Sequence, residues 1–131
     1  MCLITTKPAK IADKPIIVYK VLLLLSPKKY QTPCQGNVVM INDTLKAVVD
    51  TEPHKTYEYN RTICTIKGEG VHAYTSKEFA KATCLSYHVI TEWEIPACAK
   101  YWEGTGGWEG EIAATEMKFV KVCEDYKHFL A

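Results

Sequence analysis

A few residues in this 131-residue chain have types and spacings that could carry chemistry. Cys2 follows the initiator methionine, which is normally removed before a small residue. The freed thiol could then attack with its own amine as base; the plainer reading is an incidental cysteine in a loose lead-in. His72 stands alone on a strand-like segment just ahead of a helix start. It could serve as a base or ligand contact, or as a core histidine satisfied by a backbone carbonyl. The glycine-rich run Gly104-Thr105-Gly106-Gly107-Trp108-Glu109-Gly110 could cradle a phosphate if it joined a strand to a helix. No Lys-Ser/Thr follows it and the downstream segment reads as strand, so a mobile hairpin loop is expected. Tyr101, Trp102 and Trp108 around it would then offer ring-stacking or partner-binding surface.

Metal and disulfide chemistry find less support. The six cysteines, Cys2, Cys34, Cys64, Cys84, Cys98 and Cys123, are widely spread with no C-x-x-C pair, so reduced, packed thiols are expected. Cys84 and His88 stand four apart, but no second pair completes a tetrahedral zinc set.

Strands would have to position most of these groups. Residues 16–25, β-branched at the start and nearly all apolar, predict a central strand covered on both faces. Residues 26–36, with Pro27, Pro33 and Gly36, read as a loop. VVMI and LKAVV give short strands around an Asn42-Asp43 turn, and KTYEYN with RTICTIK a hairpin about Asn60-Arg61. GVHAY is a short strand running into Thr75-Ser76-Lys77-Glu78, the spacing of a capping box with Thr75 as cap. The spacing predicts a helix over about 76–87. Val89, Thr91, Trp93 and Ile95 then share one face of a strand that Pro96 ends. Tyr101-Trp102 and residues 111–122 supply further strands, and the tail from Glu124 a short amphipathic turn of helix.

Composition excludes several classes. Net charge is +1, and Arg61 is the only arginine. The chain therefore lacks both the field and the guanidinium forks that sequence-specific nucleic-acid binding leans on. The apolar run PIIVYKVLLLL is interrupted by Lys20, too short to span a membrane, and not followed by a cleavage site. With 47 % apolar and 24 % charged residues the balance is that of one globular domain.

The order VYKVL, GVHAYTS, IPACAKYWEG and GEIAA resembles that of a family of uncharacterised small proteins from phages and gut-type bacteria, over most of residues 16–122. The resemblance implies a phage or mobile-element context and no particular activity. A more distant similarity is to ADP-ribosyltransferases. It implies Lys20 at their early basic position, where an arginine is usual, Thr75 and Ser76 at the central hydroxyl position, and Glu111 as catalytic glutamate, with NAD as cofactor.

The expected fold is therefore α+β: one domain over 1–131, with 1–14 an irregular lead-in, a mostly antiparallel sheet, one main helix and a short C-terminal helical turn. The expected function is a small cytoplasmic binding or accessory protein with no cofactor, meeting a protein partner or a second copy through Tyr101, Trp102 and Trp108. The alternative is a nucleotide-handling enzyme, or its degenerate ADP-ribosyltransferase-like descendant, with Lys20, His72, Ser76 and Glu111 in one cleft.

Overall fold

Period-two alternation governs the chain, and the backbone follows it. The computed structural model describes residues 2–32, 36–46, 54–58, 61–67, 72–84 and 88–124. In chain order the strands are β1 (Cys2–Thr5), β2 (Lys10–Ile11), β3 (Ile16–Ser26), β4 (Lys29–Gln31), β5 (Val38–Val39), β6 (Thr44–Lys46), β7 (His54–Glu58), β8 (Arg61–Lys67) and β9 (His72–Tyr74). One helix, α1 (Lys77–Ala82), precedes β10 (His88–Ile95), β11 (Lys100–Glu103), β12 (Glu111–Ala114) and β13 (Glu116–Glu124). Strands make up most of the described residues, and α1 is the one helix among them. The expected α+β class is thus corrected to a mostly antiparallel β fold.

The main helix was overestimated for a local reason. Its cap is Ser76, not Thr75, with the Ser76 hydroxyl accepting from the Phe79 N–H at 3.1 Å. Thr83 then ends it early: its N–H and its hydroxyl both donate to the Ala80 carbonyl, a side-chain bond that competes with helix propagation. Residues 85–87 and the expected C-terminal helical turn lie outside the described residues. Two further expectations are corrected. The lead-in contains β1 and β2, and the loop expected over 26–36 contains β4. Pro27 and Lys28 make the two-residue turn between Ser26 and Lys29, with Lys28 at φ 70° in the place where glycine is usual.

Two sheets form, every strand pairing antiparallel. The smaller runs β1-β8-β7, with Glu58 opposite Arg61 in the expected hairpin. The larger runs β2-β11-β12-β9-β3-β10-β13-β6, with β4 and β5 attached beside β3. One face of this sheet carries the main core: Val18, Leu22, Val89, Trp93, Ile95, Ile112, Met117 and Phe119 are all buried. α1 packs against the other face, where Phe79 meets Tyr74. Among the described residues no helix covers the core face, so the sheet must cover itself.

The ring contacts show how. Tyr30 on β4 and Phe119 on β13 are three strand spacings apart along the sheet, about 14 Å if it were flat. Their centroids lie 5.5 Å apart. The sheet therefore curls around Trp93, which stacks on Phe119 at 4.9 Å. The chain closes the curl by passing from β5, beside β4, to β6, beside β13. Asn42 and Asp43 bond the Phe119 backbone on the way. A smaller cluster, Leu3, Trp102 and Ala113, fastens β1 to the outer face. No described helix is long and apolar enough to cross a membrane.

Candidate functional site

Residues directly opposite one another on neighbouring strands share a face, and that rule places the candidates. Lys20 lies opposite Thr91, on the core face. It is only 7 % exposed. Its ammonium donates to the His72 carbonyl and sits 5.6 Å from the Trp93 ring centre. The β3–β9 pairing is a single bridge, Tyr19 opposite Tyr74. Lys20 thus reaches a carbonyl where the two strands part, and the surrounding core has already committed its charge.

The outer face carries a transverse row instead. Glu111 lies opposite Tyr74, Tyr74 opposite Tyr19, Tyr19 opposite Glu92, and Glu92 opposite Lys121. His72, opposite Ala113, is a diagonal neighbour of Glu111 on this face, but is itself buried. The structure therefore brings His72 and Glu111 to one face and leaves Lys20 on the other. Ser76 is occupied as the helix cap, and Thr75 donates its N–H (2.8 Å) and its hydroxyl (3.3 Å) to the Gly110 carbonyl. The four residues of the transferase alternative do not converge on one cleft.

The aromatic candidates separate in the same way. Trp102 is 1 % exposed, packed with Leu3 and Ala113, and offers no surface. Its Nε1 is a buried polar atom without a hydrogen bond among the described residues. Tyr101 is half-buried against the main core. Trp108 alone remains at the surface, half-buried in the glycine-rich loop.

That loop is bonded rather than loose. Gly104 donates to the Glu111 carbonyl at 3.0 Å, Thr105 to that of Ile4 at 3.0 Å, and Trp108 to that of Thr105 at 3.3 Å. Gly104, paired with Glu111, has no side chain, and the Trp108 backbone fills the space: a Cβ on Gly104 would lie 2.2 Å from the Trp108 carbonyl oxygen. Gly110, at φ 91°, lets the Phe79 ring lie against its backbone, where a Cβ would approach to 2.9 Å. Tyr74 stands opposite on the next strand, 5.6 Å from Phe79 between ring centres. Glu111 is thus bordered by Tyr74 across the strand pairing and by Phe79 against Gly110.

The neighbouring carboxylates are engaged and Glu111 is not. Glu103 pairs with Lys10 at 3.1 Å and Lys7 at 3.6 Å. Glu109 accepts from the Gly107 N–H at 2.9 Å, and its own N–H and that of Gly107 hold its carboxyl below the ordinary range. Glu111 is half-buried with neither hydrogen bond nor ion pair among the described residues, and burial pushes its pKa up. The row holds one further carboxylate, Glu92, three strand spacings or about 14 Å away. That exceeds the roughly 5–9.5 Å over which two carboxylates share glycosidic acid–base work. No cluster of three metal-ligating side chains occurs among the described residues.

Sequence reasoning named Glu111 and missed Tyr74 and Phe79 as its neighbours. The available signal was glycine at 110, where the Phe79 ring closes in. Comparison of the chain with protein-family models, curated proteins and solved structures finds no match.

Proposed function

We propose that this chain is a small binding or accessory protein without chemistry of its own, acting through the aromatic-flanked Glu111 on the outer face of its sheet. The observation that carries the reading is a half-buried carboxylate left without a partner beside the rings of Tyr74 and Phe79. Burying a charge without compensation is unfavourable, so a site built this way gains from whatever supplies the missing partner. The groups a transferase would need are otherwise employed: Lys20 in the core and Ser76 at the helix cap. A cytoplasmic setting, and a phage or mobile-element origin, belong to the same proposal. The first is supported by Cys84, Cys98 and Cys123, none of which forms a disulfide among the described residues.

Two measurements on the full chain test this reading. Incubation with NAD should give neither nicotinamide release nor a change in melting temperature, and turnover would overturn the non-catalytic reading. A thermal-shift screen of small charged and aromatic compounds should give stabilising ligands, since binding to the native state raises the melting temperature. Those shifts should disappear in Phe79→Ala; ligands indifferent to that change would place binding elsewhere.

A further inference from the structure

We infer that the Glu111 site takes a small organic cation, an alkylated ammonium or a guanidinium, held by the carboxylate and by the faces of Tyr74 and Phe79; the assignment rests on the binding reading above. The chemistry follows from what the site presents. An aromatic ring carries negative potential over its face, and a cation set against such a face gains about 0.5–2 kcal/mol, more as water is removed. A carboxylate beside the rings adds a full opposite charge.

The geometry serves that combination specifically. Tyr74 is placed by the β9–β12 pairing, directly opposite Glu111. Phe79, 42 % exposed, is brought in by α1 and rests on Gly110, whose carbonyl Thr75 holds. The two rings arrive from different elements, Tyr74 from β9 and Phe79 from α1, and Gly110 admits the second. Simple core packing gives no reason to seat a carboxylate beside them.

Other ligand classes fit less well. A neutral ring would leave the carboxylate uncompensated. A phosphate or carboxylate ligand would be repelled by it. A divalent metal ion needs several oxygen ligands, and Glu111 offers one side chain. A bare ammonium is strongly hydrated and loses more on entering a half-dry site than a guanidinium or an alkylated ammonium, whose charge is spread and weakly hydrated.

The test is a heteronuclear NMR titration of the labelled full chain with tetramethylammonium and, separately, methylguanidinium. Sodium chloride controls for ionic strength, and neopentyl alcohol serves as the uncharged isostere of the first probe. Saturable shifts are expected at the Gly110 and Glu111 amides and at the Tyr74 and Phe79 ring signals for at least one cation. The alcohol should give none. Glu111→Gln, which keeps the shape and removes the charge, should weaken the cation by about tenfold or more, the difference between a charged and a neutral acceptor. Phe79→Ala should weaken it several-fold. Equal binding of the alcohol, or undiminished binding in Glu111→Gln, would overturn the cation assignment while leaving a binding site. Absence of saturable shifts with every probe would overturn the cation assignment as well. Turnover of a bound compound would instead sink the non-catalytic reading and leave cation binding standing.

Discussion

Thr91 shows how closely the polar groups of the core are matched. Its hydroxyl donates to the Lys20 carbonyl and accepts from the Trp93 indole, both at 2.8 Å. Thr91→Val keeps the shape but leaves the indole N–H unpaired inside the core. Chemical denaturation should show a loss of about 1–3 kcal/mol, and an unchanged midpoint would show that the indole finds another acceptor. His88 gives a pH signature. It is buried, and burial lowers its pKa from the ordinary 6.5. The unfolded chain therefore takes up a proton that the native imidazole resists. Stability is fully present above pH 6.5 and is lost as pH falls below it toward the native value. Melting temperatures between about pH 7.5 and about pH 5.5 should fall less in His88→Gln than in the unaltered chain. At this scale the sequence identified polar residues within apolar strands but not their duties. The alternation around Lys20 marks its face, yet only the parting of β3 from β9 explains a buried ammonium there.

At the scale of elements, the helix start separates two adjacent hydroxyls. Ser76→Ala removes the cap and should cost about 1 kcal/mol. Thr75→Ala should cost clearly less, because the shorter bond to the Gly110 carbonyl comes from the Thr75 backbone. Equal losses in thermal melts would restore the capping box that the T-x-x-E spacing suggested. Gly110→Ala should be worse than either. It forces an alanine to φ 91° and drives its Cβ into the Phe79 ring at 2.9 Å. The expected result is a loss above about 1 kcal/mol together with weaker shielding of Phe79, readable by NMR. Most strands were legible, because period two is a local signal: β3, β10 and the β7–β8 hairpin fall where alternation and turn residues put them. β4 was hidden because its turn uses Lys28 at positive φ, where composition advertises no glycine. The helix was overextended because Thr83 stops it by a side-chain bond that apolar periodicity does not register.

Over the whole molecule, the curl of the main sheet is held by the rings of Trp93, Phe119 and Tyr30. Phe119→Ala removes the ring that both others touch, and should cost about 3–5 kcal/mol in denaturant unfolding. A smaller loss, below about 1 kcal/mol, would mean that β5 and β6 close the sheet without it. Composition and alternation by themselves determined that this is a strand-rich domain, which residues of β10 face inward, and that Glu111 and Trp108 border a glycine-rich loop. They could not determine which strands neighbour one another. Pairing between β12 and β9, or between β13 and β10, joins segments distant along the chain, and register is settled by the packing of the whole sheet. That tertiary choice put Lys20 and Glu111 on opposite faces, buried Trp102 under Leu3, and brought the rings of Tyr74 and Phe79 beside one carboxylate. A side chain's surroundings depend on neighbours supplied by other strands, and local sequence carries no record of them.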